Sequence, residues 1–239
     1  MHVKVFKTKS EASDYAFQLL IRQKDLGPST YGLATGSTPL GLYQRMVNSE
    51  YDFSQDQAIN LDEYVGLSKD HPQSYAYFMN QYLFSKKPFK ATYIPNGVAE
   101  EIHQECLNYD QILEQWPIDL QILGLGSNGH IGFNEPGSSF DTKTHCVQLT
   151  ESTIKDNQRF FENNEKVPNR AITMGIDSIL KAKQIILMAF GENKAHAIRQ
   201  AIELPASPLC PASCLQQHAN TFILLDEEAA SQLIGEYNA

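Results

Sequence analysis

The chain has 239 residues, 42% hydrophobic and 20% charged, enough apolar material for a full core and a length suiting one large domain or two small ones. Nineteen basic residues against 28 acidic leave a formal charge of −9. That argues against nucleic acid or an anionic membrane as partner, since both require basic surface, so any anion must be held locally by a few placed cations and backbone N–H groups.

Met1–Phe6 runs directly into a strand pattern with no leader-like region, and the longest apolar run, Ile185–Phe190, is far too short to span a bilayer. A cytoplasmic location is expected. Val3–Phe6 reads as the first strand. Ala12, Tyr15, Ala16, Leu19 and Leu20 then form a helical stripe with Ser10 as its expected N-cap. Tyr31–Ala34 is the second strand, followed by a turn and a helix from about Pro39 to Val47. Ala58–Leu61 is the third, followed by a helix around Tyr75–Leu83 and a short extended piece at Thr92–Ile94. Ile102, Cys106, Tyr109, Leu113 and Trp116 mark an amphipathic helix ended by Pro117. Further strand patterns lie at Leu120–Leu123, His145–Leu149, Ala171–Met174, Ile185–Ala189 and Thr221–Leu225. Helices are expected between them at Ser152–Phe161, Lys194–Ile202 and Pro211–Gln217. The alternation predicts an α/β fold with an open, mostly parallel sheet and helices on both faces. One domain spanning 1–239 is expected, with the polar, Asn-rich segment 150–168 as a mobile lid.

Four cysteines in a chain of this size do not make a disulfide framework. Cys210, Cys214 and His218 are spaced by four and would share one helical face as metal ligands. No fourth ligand is evident, so the preferred reading is of small buried residues on a short helix from Pro211, with no metal.

The richest segment is Gly124–Gly137, GLGSNGHIGFNEPG, directly after the Leu120–Leu123 strand. Gly124, Gly126 and Gly129 fit the dinucleotide fingerprint, but that motif needs a helix at its third glycine. Gly132, Pro136 and Gly137 interrupt any such helix, so no nicotinamide cofactor is expected. The loop instead offers His130 and Glu135 as an acid–base pair. Two other strand ends carry polar groups. Thr35-Gly36-Ser37-Thr38-Pro39 feeds a helix N-terminus, whose N–H groups and partial positive charge suit a phosphate. Asn60-Leu61-Asp62-Glu63-Tyr64 places two adjacent carboxylates after an apolar strand. They are not expected both to face the core, so one should stand over the crevice at the sheet edge. Arg159, in the lid, and Lys194, after the Ile185–Ala189 strand, supply cations.

Taken together, TGSTP (35–39), LDEYVGL (61–67), HPQSY (71–75), NGHIGFNEP (128–136), QRFF (158–161) and SCLQ (213–216) resemble the glucosamine-6-phosphate deaminase family, in its order and over most of the chain. The resemblance implies a Rossmann-like fold and conversion of glucosamine 6-phosphate and water to fructose 6-phosphate and ammonia, without an organic cofactor. It assigns Asp62 as the enolisation base and His130 with Glu135 to ring opening. It assigns Gly36, Ser37, Thr38, Arg159 and Lys194 to the phosphate. Asn128 stands where some members have aspartate, which leaves an amide oxygen to orient the imidazole. Longer, regulated members carry a basic pair after the NEP segment. The corresponding positions here are His145 and Val147, and the sequence ends at Ala239. The implied enzyme has hyperbolic kinetics, no N-acetylglucosamine 6-phosphate activation, and is a monomer or small homo-oligomer.

Two alternatives compete. A 6-phosphogluconolactonase also uses a histidine in a glycine-rich loop, but has no use for Asp62 as a base at C2. A non-catalytic sugar-phosphate sensor would keep the phosphate loop and lose the acid–base groups, whereas both Asp62 and His130 are present.

Overall fold

Seven parallel strands form the central sheet of the computed structural model, which describes residues 1–158, 161 and 165–237. The strands are β1 (His2–Phe6), β2 (Thr30–Leu33), β3 (Gln57–Asn60), β4 (Asp62–Tyr64), β5 (Ala91–Tyr93), β6 (Leu120–Leu123), β7 (His145–Gln148), β8 (Arg170–Thr173), β9 (Gln184–Ala189) and β10 (Thr221–Asp226). The helices are α1 (Lys9–Lys24), α2 (Leu40–Asn48), α3 (Tyr75–Met79), α4 (Ile102–Gln115), α5 (Glu151–Asn157), α6 (Ile176–Leu180) and α7 (Ala195–Ile202).

The large sheet has the order β1-β10-β9-β6-β2-β3-β5. From β2 the chain builds outward through β3 to β5, then returns to place β6 on the other side of β2 and continues through β9 and β10. The carboxyl ends of β2 and β6 therefore flank the point where the winding reverses, which is where open α/β sheets bind ligands. Side chains alternate between the faces. Ile185, Leu187, Ile223 and Leu225 join one core with Tyr109 of α4, Ile176 of α6 and Ile198 of α7. Ile186, Met188 and Leu224 join the opposite core with Leu19 and Leu20 of α1, Leu42 and Met46 of α2 and Met79 of α3. Two-sided burial is what lets these strands read as unbroken apolar runs.

Three expectations need correction. The His145–Leu149 and Ala171–Met174 patterns are not part of the parallel sheet. β7 and β8 pair antiparallel with each other, and β8 pairs antiparallel with β4, making a separate three-stranded sheet of order β4-β8-β7. The strand β4 was illegible because Asp and Glu are poor strand formers. The N-cap of α1 is Thr8, not Ser10: Thr8 Oγ1 accepts the Glu11 N–H at 3.2 Å while the Glu11 carboxylate accepts the Thr8 N–H at 3.3 Å, a reciprocal box that satisfies two orphan donors. Residues Pro211–Gln217 form 3-10 rather than α turns. A spacing of four does not stack side chains there, and both ring nitrogens of His218 are taken, by Thr221 Oγ1 and the Ala182 carbonyl at 2.8 Å each. Cys210 and Cys214 are buried. Among the described residues no helix is long and apolar enough to cross a membrane.

Candidate active site

A cavity of about 420 Å³ opens at the carboxyl ends of β2 and β6. The Thr35–Thr38 loop after β2, Asp62 at the start of β4, His130 in the loop after β6, Lys194 after β9 and Asp156 and Asn157 of α5 all line it. Chain segments far apart in sequence thus deliver their polar groups to one crevice because their strands end at one edge. Arg159 lies outside the described residues, so the structure does not locate it relative to the cavity.

The loop after β6 turns tightly enough for His130 to fold back on it. A Cβ on Gly126 would run into the His130 imidazole, and Gly129 adopts φ 87°, a left-handed conformation that disfavours side chains. The His130 backbone N–H donates to Asn128 Oδ1 at 3.2 Å. Only the oxygen end of the amide can accept it, so the Asn128 NH₂ must face the other way, and it donates to Glu135 Oε2 at 2.9 Å. His130 Nδ1 lies 2.8 Å from the same Asn128 Oδ1, so Nδ1 carries the proton and Nε2 holds a lone pair. A backbone donor thereby fixes the tautomer. Glu135 stands 3.7 Å from Nδ1, too far for a direct hydrogen bond, and acts through Asn128. Burial pushes the His130 pKa down and Lys194 pushes the same way, against the pull of Glu135 and Asp156. The ring is therefore a neutral base rather than an imidazolium.

Asp62 and Glu63 are both buried, but they do not both face the core: as expected, one of the pair, Asp62, stands over the crevice. Burial raises the Glu63 pKa to about 7, offset in part by the backbone N–H groups it accepts from Tyr64, Tyr75 and Ala76 at 2.8, 3.0 and 2.9 Å. The last two are orphan donors at the first turn of α3. Asp62 lines the cavity instead, against Gly132 of the His130 loop. Burial, and secondarily the charge of Glu63, raise its pKa to about 8. Only a small fraction of the group faces water, so its ionised form is a strong base for a carboxylate.

At the other end, Thr35, Gly36, Ser37 and Thr38 precede α2, whose N-cap is Pro39 rather than Pro39 being its first helical residue. Gly36 has φ 93°, and the nine-residue helix behind the loop points its positive end toward the cavity. Lys194 closes this edge from the 3-10 turn Glu192–Lys194.

Sequence reasoning missed the aromatic wall. Tyr64, Tyr75 and Phe133 line the cavity, with Tyr75 stacked on Phe133 at a centroid distance of 5.8 Å and 7° between planes. Phe161 packs edge-on against Tyr64 at 5.8 Å. Helix α5 is tied down through Asn157 Nδ2 to Tyr64 Oη at 2.8 Å and Ser127 Oγ to Asp156 at 2.6 Å. Thr153 Oγ1 lies 3.5 Å from His130 Nδ1. The spacings of these aromatic residues carry no local signal, because the rings meet only in the folded structure.

The family described as "Glucosamine-6-phosphate isomerases/6-phosphogluconolactonase" matches residues 10–224. A glucosamine-6-phosphate deaminase of Lacticaseibacillus paracasei is 53% identical over 233 residues, covering 98% of this chain and 99% of that one. Its counterpart in Oenococcus oeni is 48% identical at the same coverage. Among solved structures, a monomeric glucosamine-6-phosphate deaminase superposes with a TM-score of 0.93 at 40% identity, covering 97% of this chain and 100% of the other. The 6-phosphogluconolactonase of Trypanosoma brucei gives 0.79 at 20% identity, with 97% and 98% covered, a likeness of fold alone.

Proposed function

The chain belongs to the family of glucosamine-6-phosphate isomerases and 6-phosphogluconolactonases, and we propose that within it the chain is a deaminase, converting glucosamine 6-phosphate and water to fructose 6-phosphate and ammonia. The observation that carries this reading is a buried carboxylate, Asp62, lining the same cavity as the His130 base and the Thr35–Thr38 loop. A lactone hydrolase needs no second base at a carbon; an isomerising deaminase does.

The roles follow from the chemistry. The Thr35–Thr38 loop and Lys194 hold the phosphate, with Arg159 closing over it. His130 Nε2 takes the anomeric hydroxyl proton and returns one to the ring oxygen, opening the sugar. Asn128 holds the Nδ1–H and relays the charge of Glu135, which stabilises the imidazolium formed in passing. The aldehyde makes the C2 proton acidic. Asp62 removes it and delivers it to C1, leaving an imine at C2. Water adds there, and ammonia leaves. Each proton transfer of this kind is worth roughly 10²–10⁴-fold, and the distant phosphate supplies positioning for the remainder.

The enzyme is a single catalytic domain over 1–239 whose segment 150–168 serves as a lid. It works in the cytoplasm as a monomer or small oligomer, with hyperbolic kinetics and no response to N-acetylglucosamine 6-phosphate. Release of ammonium from glucosamine 6-phosphate by the purified chain tests the activity. No ammonium, with hydrolysis of 6-phosphogluconolactone in its place, would overturn it.

A further inference from the structure

Asp62 is an unusual base in one respect: no donor among the described residues holds its carboxylate, which is affected only by burial and by Glu63. A carboxylate without hydrogen bonds takes its place from its backbone. That backbone is pinned on one side by the antiparallel register of β4 with β8, where Asp62 faces Thr173. On the other side the next residue is pinned by its own side chain. Alternation along β4 turns Glu63 away from the cavity, toward the start of α3 and against Gly97, where it accepts the three backbone N–H groups of Tyr64, Tyr75 and Ala76.

We propose that Glu63 is the positioning residue for Asp62: its carboxylate clamps β4 to the first turn of α3, and so sets both where the base stands and where the Gln73–Tyr75 wall of the cavity meets it. The inference rests on the deaminase reading, because it gives Asp62 a carbon to serve. Two further observations support it. Gln73, Ser74 and Tyr75 line the cavity immediately before the clamped amides, and Ser74 caps α3 by accepting the Tyr77 N–H at 3.0 Å. The clamp therefore joins a catalytic strand to a helix start that has its own cap, and α3 does not need Glu63 in order to form.

Glu63 also sets the electrostatic surroundings of the base. Among the described residues, the other titratable groups coupled to Asp62 are Tyr43 of α2, Tyr64 of β4, Tyr75 of α3 and Tyr109 of α4. Burial raises all four well above the ordinary tyrosine range, so they stay neutral while the enzyme works. Across the cavity, His130 is held neutral by burial and Lys194. Among the described residues Glu63, itself raised by burial to about 7, is thus the neighbour whose charge, once ionised, makes Asp62 more basic.

Two variants test this, Glu63→Gln and Glu63→Asp, with the wild type as reference. Glu63→Gln keeps the shape but turns an amide NH₂ toward one backbone N–H. Ammonium release should fall in kcat by about 10- to 100-fold, as a displaced base would give, with KM changed less than about threefold. The acid limb of kcat/KM should move to lower pH as the negative neighbour disappears. Glu63→Asp keeps the charge and shortens the reach, so kcat should fall while the acid limb stays. Folded variants with wild-type kcat and an unmoved limb would overturn the proposal. Failure of both variants to fold would also overturn it, because the clamp would then serve the fold rather than the base. If the wild type itself releases no ammonium, the deaminase reading has failed instead.

Discussion

Replacing Asp62 by Asn should abolish turnover and stabilise the protein, increasingly so as pH rises. The folded state binds the Asp62 proton more tightly than the unfolded chain does, since burial lifts the pKa from 3.8 to about 8. Each step of pH between those values, by ionising the group first in the unfolded chain, removes stability from the fold. At about pH 8 the wild type carries on the order of 5 kcal/mol of this cost, against less than about 2 kcal/mol at about pH 5. Asparagine is neutral at both, so whatever its own burial costs cancels in the comparison. The stability advantage of Asp62→Asn should therefore grow by about 4 kcal/mol between about pH 5 and about pH 8. For a chain of this length that is roughly 10 °C in the difference of melting temperatures. Thermal denaturation of both proteins followed by circular dichroism at the two pH values reads it directly. Parallel stability curves would mean that Asp62 is not held in a dry site, and the argument for it as a strong base would fall with them.

The activity profile should mirror this titration: kcat/KM reports the free enzyme, so it should fall as pH drops below about 8, where Asp62 gains its proton, while His130, held below its ordinary range by burial, stays neutral. A flat profile from about pH 6 to about pH 8 would contradict the assignment of the base. Asn128→Leu removes the acceptor of the Nδ1–H and the link to Glu135. It should lower kcat by about 10²-fold with little change in KM, and an unchanged kcat would remove Asn128 from the relay. Lys194→Met should raise KM by roughly 10- to 100-fold, the value of a charged hydrogen bond to phosphate, and weaken inhibition by inorganic phosphate in parallel. Inhibition equal to that of the wild type would exclude Lys194 from the phosphate site.

The large sheet was legible in the sequence because β9 and β10 are buried on both faces and read as apolar runs, and α4 because its stripe recurs at helical spacing. The three-stranded sheet was not, because β4 is a run of Asp-Glu-Tyr whose burial is decided by distant partners: Thr173 opposite Asp62, and the α3 amides that satisfy Glu63. The site divides in the same way. His130, Glu135 and the Thr35–Thr38 loop stand out as titratable or hydroxyl groups at strand ends. Tyr64, Tyr75 and Asn157 do not, because their roles exist only once α5 lies against the small sheet. Which of the two adjacent carboxylates turns inward was illegible for a related reason. Side-chain polarity alone gives no account of backbone donors supplied from elsewhere in the chain.

β7 and β8 are antiparallel neighbours, and all of residues 149–169 is the connection between them, closed at its root by the Leu149 N–H donating to the Asn169 carbonyl at 2.8 Å. The described part of this connection carries α5, whose Asp156 and Asn157 line the cavity, and it leaves from the same minor sheet that carries the carboxylate at position 62. Its length can change by insertion or deletion without shifting any strand of the parallel layer. The residues that α5 brings to the cavity therefore arrive on a connection distinct from the strand ends that deliver Asp62 and His130, and are joined to them by the Ser127–Asp156 and Asn157–Tyr64 hydrogen bonds.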